Sequence, residues 1–197
     1  MKTPQIAILA LQGAFAEHRK MFEKIGGAEV FEIRQSCDLE KSCHALILPG
    51  GESTVQGKLL RELNLFSILR QRILAGLPVL ATCAGAILLA EKLENDPATH
   101  FATLPVTIRR NAYGRQLSSF HTKSSFGDMA DIPMPFIRAP QIIDHSKDVQ
   151  VLSTHNGQPT AVRFHNQLAM TFHPEITESE EIHKFFLEKI VVPAIKN

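Results

Sequence analysis

Three short stretches of the chain contain residue types that could carry out nucleophilic catalysis. Cys83 lies in ATCAGA (81–86), between an apolar run and a helical pattern. PGGEST (49–54) places two glycines after another apolar run, and TFHPE (171–175) supplies a late histidine and glutamate. A cysteine nucleophile needs a base, a group that orients the base, and donors for an oxyanion. The three stretches together contain each of these parts.

Small residues flank Cys83 on both sides, as a strand–nucleophile–helix elbow requires. Ala81 and Gly85 stand two positions before and after the cysteine, which lets strand and helix approach each other closely. The unpaired N–H groups at a helix N-terminus also stabilise a thiolate. The alternative is a free cysteine buried as a small apolar residue, and this stretch alone leaves it open.

The sequence His173-Pro174-Glu175 offers a base and its orienting carboxylate. If the segment is extended, residues two apart point to the same face, so Glu175 could flank the imidazole of His173 and fix its tautomer. The alternative is a surface histidine followed by a glutamate at the entry of a helix.

The PGGEST stretch is typical of an anion-binding turn. Two glycines after a buried strand expose backbone N–H groups, and those of Gly51 and Ala84 could form an oxyanion hole over the Cys83 sulfur. The alternative is an ordinary tight turn in which Ser53 or Thr54 is the N-cap of the next helix.

The elements that must position these stretches follow from the hydrophobic pattern. Apolar runs separated by helical patterns predict strands that are buried on both faces and paired in parallel. Their spans are IAILAL (6–11), AEVFEIR (28–34), ALILPGG (45–51) and PVLATC (78–83). Leucines and isoleucines at helical spacing predict one long amphipathic helix over about 54–74. Ligands of such sheets bind at the carboxyl ends of strands, where all three stretches fall.

Beyond about residue 101 the pattern becomes β-rich, without a long helix between the strands. Strand patterns at 149–155 and 159–165 flank an Asn-Gly turn, and LAMTFH (168–173) predicts a further strand. We therefore expect an α/β, three-layer, flavodoxin-like fold with a mainly parallel central sheet and an antiparallel β extension.

Length and composition favour one globular domain over residues 1–197. A formal net charge of +1 argues against a nucleic-acid or anionic-membrane partner. The N-terminal apolar run is too short for a membrane span and lacks a cleavage pattern, so we expect a cytoplasmic location. Cys37, Cys43 and Cys83 contain no CxxC pair, which favours neither a disulfide framework nor a zinc site.

Together, the Gly-Gly turn, the cysteine elbow and the late His-Pro-Glu resemble the class I (triad) glutamine amidotransferases. Further stretches are similar to one of their families, the glutaminase subunits of pyridoxal 5′-phosphate synthase. These stretches are LQGAFAEH (11–18), LPGGEST (48–54), TCAGAI (82–87), RNAYGRQ (110–116) with SF (119–120), FIRAP (136–140), VLSTHNG (151–157) and FHPE (172–175).

The resemblance implies a role for each matching residue. Cys83 would attack the side-chain amide of L-glutamine, His173 would act as general base and then as acid toward departing ammonia, and Glu175 would orient His173. The implied glutamine contacts are Gly51, Glu52, Ser53, Arg110, Ile137 and Arg138. The alternative for the two arginines is a surface salt bridge.

The resemblance also implies a partner, a (β/α)8-barrel synthase subunit that receives the ammonia, with docking through the region of Gln12 and the following helix. It implies neither a cofactor nor a metal in this chain. Two positions depart from the family pattern. Ala81 replaces the usual glycine beneath the elbow, and Tyr113 stands where phenylalanine is common.

Two other functions remain as alternatives. One is the amidotransferase subunit of another pathway, such as histidine synthesis, against which RNAYGRQ argues. The other is a non-catalytic flavodoxin-like regulatory module, which the presence of Cys83, His173 and Glu175 together disfavours.

Overall fold

The computed structural model of the protein describes residues 3–110, 112 and 119–196. Its centre is a sheet of seven strands in the order β10-β11-β12-β4-β3-β1-β2. The strands of this sheet are β1 (Gln5–Leu9), β2 (Glu29–Ile33), β3 (Ala45–Leu48), β4 (Val79–Thr82), β10 (Gln150–His155), β11 (Gln158–Phe164) and β12 (Gln167–Met170). The pairs among β12, β4, β3, β1 and β2 are parallel, whereas β10, β11 and β12 pair antiparallel.

Helices cover both faces of this sheet, so the expected three-layer α/β fold with an antiparallel extension is confirmed. The helices are α1 (Phe15–Ile25), α2 (Ser53–Glu62), α3 (Phe66–Leu74), α4 (Ala84–Leu89), α5 (Glu181–Phe186) and α6 (Val192–Lys196), with a π turn at Leu187–Val191 between the last two. Two short 3-10 turns lie at Ser36–Glu40 and Pro174–Ile176.

Alternate residues of the central strands build two hydrophobic cores. On one face, Leu48 and Ala81 pack in a core with residues of α2, α3 and α4. On the other face, Ile47 and Leu80 pack with Phe22 of α1 and with residues of α5. Continuous apolar strands are required because both faces of the sheet are covered.

Two smaller sheets complete the β-rich second half. One contains β5 (Ala90–Leu93), β6 (Leu104–Arg109) and β9 (Gln141–His145), and the other is the antiparallel pair β7 (Ser119–Phe126) and β8 (Met129–Ile137). Among the described residues, no helix combines the length and the hydropathy needed to cross a bilayer.

The prediction of one long helix over about 54–74 is wrong, because the chain breaks it into α2 and α3. Asn64 adopts a φ of 56° between them, a left-handed conformation that asparagine tolerates better than most residues. Leu65 then follows with its side chain fully buried and its N–H bonded to the carbonyl of Leu60. The break allows both helices to press apolar side chains into the same core.

The strand order brings the three predicted chemical stretches together. Strands β3, β4 and β12 are neighbours, and they run parallel to one another. Their carboxyl ends are Leu48, Thr82 and Met170, which immediately precede PGGEST (49–54), Cys83 and TFHPE (171–175). The site therefore lies at the carboxyl ends of three inner strands of the sheet.

Candidate active site

Cys83 occupies a strained turn between β4 and α4. Its backbone has φ 47° and ψ −102°, values that L-residues rarely adopt and that cost on the order of 1–3 kcal/mol. Its N–H donates to the carbonyl of Met170 at 2.9 Å, and its side chain is buried. A Cβ added at Gly85 would lie 2.0 Å from the carbonyl oxygen of Leu48, so glycine is needed where helix and strand meet. The predicted elbow geometry is present.

Ala81, which replaces the glycine usual beneath the elbow, is fully buried in β4. It pairs with Leu48 on one neighbouring strand and with Ala169 on the other. Its methyl group belongs to the core on the α2–α4 face of the sheet. The methyl group therefore packs within the core beneath the elbow.

His173 and Glu175 form a buried pair. The Nδ1–H of His173 donates to Oε1 of Glu175 at 2.8 Å, because a carboxylate can only accept. The contact does not come from an extended segment, since Pro174–Ile176 forms a 3-10 turn that folds the carboxylate back onto the ring. The expected pairing occurs, but through a different backbone conformation.

The environment favours a protonated His173 beside an ionised Glu175. Burial lowers the pKa of His173, but contact with Cys83 and Glu175 outweighs burial and raises it to about 10. Burial raises the pKa of Glu175, and His18 and His173 outweigh that effect, so the net shift is downward. Nε2 of His173 is buried and has no hydrogen-bond partner within the described part of the chain. This nitrogen is therefore available for proton transfer.

Thr82, the residue before the cysteine, connects the histidine–glutamate pair to the glycine turn. Its hydroxyl donates to Oε1 of Glu175 at 3.3 Å and accepts from the N–H of Gly50 at 3.0 Å. The side chain is fully buried. A single hydroxyl thus fixes two separate parts of the site.

The glycine turn is held from the opposite side by the N-terminus of α1. The carbonyl of Gly50 accepts from the N–H of Ala14 at 3.0 Å. Because the C=O and N–H of a trans peptide point in opposite directions, the N–H of Gly51 points away from Ala14. A Cβ added at Gly50 would lie 2.3 Å from Cε1 of His173, so a side chain there would collide with the ring. The N-cap of α2 is Glu52, not Ser53 or Thr54.

A pocket of about 430 Å³ opens beside Cys83 and His173. Its lining comprises Gln12, Gly51, Glu52, Ser53, Thr54, Cys83, Ile87, Arg110, Ile137, Arg138, Pro140 and His173. All six predicted substrate contacts therefore line one cavity together with Cys83 and His173. Glu175 lies behind His173 and does not line the cavity.

Two ion pairs surround this pocket. Arg110 donates to Asp96 at 2.6 Å and to the hydroxyl of Thr54 at 3.3 Å. Arg138 lies 3.5 Å from the carboxylate of Glu52, and both side chains are exposed. The pocket lining thus includes the guanidinium groups of Arg110 and Arg138 and the carboxylate of Glu52, which could interact with an amino acid.

Comparison with known proteins identifies the family. The model of the SNO glutamine amidotransferase family matches residues 8–192. The chain belongs to this family. Curated relatives include two proteins named pyridoxal 5′-phosphate synthase subunit PdxT. One, from Desulfitobacterium hafniense, is 54% identical over 94% of this chain and 93% of its own. The other, from Methanocorpusculum labreanum, is 50% identical over 94% of this chain and 97% of its own.

Solved structures agree with the membership in the SNO family. A crystal structure described as a glutamine amidotransferase has a TM-score of 0.87 and 39% identity, covering 93% of this chain and 97% of its own. A putative GMP synthase subunit from Thermoplasma acidophilum has a TM-score of 0.70 and 16% identity, covering 100% and 98%. The latter likeness shows the fold alone.

Sequence reasoning missed the buried layer of this SNO-family site. Thr82 and His18 each stood in a quoted motif but received no role, and His183, which contacts His18 behind Glu175, has no local signal. Most of the RNAYGRQ motif, including Tyr113, lies outside the described residues. Over residues 3–110, 112 and 119–196, no cluster of three or more histidine, cysteine or acidic side chains is arranged to hold a metal ion.

Proposed function

We propose that this protein hydrolyses L-glutamine to L-glutamate and ammonia and supplies the ammonia to the synthase subunit of a pyridoxal 5′-phosphate synthase. The observation that carries the proposal is one cavity lined by both the elbow cysteine Cys83 and His173, whose Nδ1 is paired with Glu175. The names of relatives that are 45–54% identical over 93–94% of the chain support the pathway.

In the proposed reaction, the proton of the Cys83 thiol first passes to Nε2 of His173, which gives a resting pair of thiolate and imidazolium that the raised pKa of His173 favours. The thiolate attacks the side-chain carbonyl carbon of glutamine and forms a tetrahedral oxyanion. The N–H of Gly51 and that of Ala84, which has no acceptor within its own helix because it lies in the first turn, would stabilise this charge. The raised pKa of His173 supports the first step, because a stronger base takes the thiol proton more readily.

The remaining steps return the site to its starting state. The imidazolium of His173 protonates the departing nitrogen, so ammonia leaves and a glutamyl thioester remains on Cys83. Water then loses a proton to His173 and attacks the thioester, which releases glutamate and the thiolate. Glu175 keeps the proton on Nδ1 throughout, so that Nε2 is the atom that exchanges protons.

The pocket residues support glutamine as the substrate. Its carboxylate suits Arg110 and Arg138, and its ammonium suits Glu52, while Ser53 and Ile137 complete the cavity wall. Arg110 already pairs with Asp96, and Arg138 pairs with Glu52. Glutamine would therefore exchange partners with existing ion pairs and would not bind to an unpaired charge.

We propose that the synthase partner, a (β/α)8 barrel, docks at Gln12 and α1. The side-chain oxygen of Gln12 accepts from the N–H of Glu52 at 2.7 Å, and the backbone carbonyl of Gln12 accepts from the side-chain amide of Gln56 at 2.8 Å. A partner that contacts this region would therefore act directly on the turn that carries Gly51.

The test is glutamate and ammonia release by the purified protein, alone and with a PdxS-type synthase subunit. The wild type should produce both in equal amounts, and Cys83→Ala should lower the rate by at least about 10³-fold. Cys37→Ala, at an exposed cysteine, is the matched control and should keep full activity. Full glutamine hydrolysis by Cys83→Ala would refute the mechanism, and absence of activity in both mixtures would refute the function.

A further inference from the structure

Two buried histidines lie next to the catalytic carboxylate without lining the pocket. His18 belongs to α1 and His183 to α5, and both side chains are fully buried. Nδ1 of His18 lies 3.0 Å from Nε2 of His183. Nε2 of His18 lies 3.2 Å from the hydroxyl of Thr82 and 3.7 Å from Oε2 of Glu175. The pair thus joins two helices to the reacting groups.

The hydroxyl of Thr82 determines which nitrogen of His18 carries a proton. A hydroxyl has one hydrogen and two lone pairs. The hydrogen of Thr82 goes to Glu175, since a carboxylate only accepts, and one lone pair accepts the N–H of Gly50. The remaining lone pair faces Nε2 of His18. This nitrogen must therefore be the donor.

The second histidine follows from the first. In a neutral imidazole with hydrogen on Nε2, Nδ1 is an acceptor, so Nε2 of His183 must donate to His18. Nδ1 of His183 is then a bare lone pair, and it has no hydrogen-bond partner within the described part of the chain. Every donor from His183 through His18 and Thr82 therefore points toward Glu175.

The surroundings keep both rings neutral. Burial lowers the pKa of His18, an effect that Glu175 and Glu17 oppose and that His173 reinforces. Burial and the neighbouring His18 lower the pKa of His183 well below its usual value. A neutral pair is what the donor assignment requires.

We propose that His18 is a positioning residue of the glutaminase reaction, whose Nε2–H holds the Thr82 hydroxyl so that it can bind Glu175 and Gly50 together. This inference rests on the proposed function, because it assigns a role at the same site. Helix α1 then contacts the glycine turn twice, directly through Ala14 and indirectly through His18. Without the Nε2–H donor, the hydroxyl can rotate, and both the carboxylate and the turn lose their fixed geometry.

The test compares two substitutions that each keep one half of the imidazole. His18→Gln retains an N–H donor near the position of Nε2, whereas His18→Asn retains polar atoms near Nδ1 and loses the donor to Thr82. His18→Asn should lower kcat by about 10–100-fold with KM changed by less than about 3-fold. His18→Gln should restore kcat to within about 3-fold of the wild type. His44→Asn, at a histidine that accepts from the N–H of Gln5, is the control and should match the wild type.

A second readout does not depend on glutamine. In a background with Cys37→Ala and Cys43→Ala, the pH dependence of alkylation of Cys83 by iodoacetamide reports on His173 and Glu175. His18→Asn should move the midpoint upward by about one pH unit, and His18→Gln should leave it in place. If the wild type fails to hydrolyse glutamine, the proposed function falls, whereas the alkylation midpoint still tests the role of His18.

Two results would overturn the inference. One is a His18→Asn variant with the kcat and the alkylation midpoint of the wild type. The other is an equal loss of kcat in both His18 variants together with a lowered melting temperature in both. If His18→Asn does not fold, Thr82→Ser and Thr82→Val provide the same contrast, because only serine keeps the hydroxyl. Serine should retain kcat to within about 3-fold and valine should lose it, and equal kcat values in the two variants would contradict the inference.

Discussion

The two sides of His173, the proposed catalytic base, differ in how their charges are held. Behind His173, Glu175 is 4% exposed and is held by hydrogen bonds with His173 and Thr82. In the pocket, Arg138 and Glu52 are 71% and 59% exposed and lie 3.5 Å apart. Burial makes the first set rigid and costly to disturb, whereas solvent weakens the second set and lets its members exchange partners. The groups proposed for the reaction and the groups proposed for substrate recognition therefore lie in different environments.

The largest expected effect comes from making the same substitution, glutamate to glutamine, at the buried and at the exposed carboxylate. Glu175→Gln should lower kcat by about 10²–10⁴-fold, because an amide no longer stabilises the imidazolium or fixes its tautomer. Glu52→Gln, on the exposed side, should change kcat by less than about 3-fold and act mainly on KM. Steady-state kinetics with the synthase subunit present measure both. Similar kcat losses in the two variants would contradict the proposed division between buried groups that act in the reaction and exposed groups that bind substrate.

The next effect tests recognition by adjacent arginines. Arg110→Met should raise KM for glutamine by about 10–100-fold with little change in kcat, because it removes a charge-assisted bond to the substrate carboxylate. Arg109 pairs with Glu94 and does not line the pocket, so Arg109→Met is the matched control. A KM for Arg110→Met equal to that of the control would show that the carboxylate binds elsewhere.

A smaller effect reports on the buried side through pH. The pKa of His18 is lowered by folding, so below pH 6.5 the unfolded chain takes up a proton that the folded chain resists. The wild type should therefore lose up to about 1.4 kcal/mol of stability per pH unit relative to His18→Gln as the pH falls from 6.5 to 5. Urea unfolding at pH 7.5, 6 and 5 measures the difference, and a difference that is independent of pH would contradict a neutral buried His18.

The smallest effect is expected on the exposed side. Arg138→Met removes an ion pair with Glu52 in which both side chains are largely solvent-exposed. Such pairs contribute about 0–1 kcal/mol, so the free energy of unfolding should change by less than about 1 kcal/mol. Chemical denaturation at low and high salt provides the measurement. A larger loss would mean that this pair is structural and does not exchange freely with substrate.

The sequence predicted best those parts of the site whose residues lie close together along the chain. The elbow around Cys83 and the glycine turn after β3 are local patterns, because small residues are required within a few positions of one another. The parallel sheet followed from continuous apolar strands. The pairing of His173 with Glu175 was expected from their spacing, although a 3-10 turn produces it.

Features that depend on distant residues could not be predicted in this way. His18 and His183 are 165 positions apart, and each has the ordinary setting of a histidine on an amphipathic helix. Their meeting depends on how α1 and α5 pack over the sheet. The break at Asn64 was missed for a related reason, since apolar spacing continues through it and only the shape of the core requires the bend.

At position 83, selection for activity and selection for heat resistance favour different residues. A glycine there would relieve the φ of 47°, so Cys83→Gly should make the protein inactive but more resistant to heat. A mutant library screened for thermal resistance alone would therefore enrich the loss of the nucleophile. Directed improvement of this protein requires a screen that scores turnover in every round.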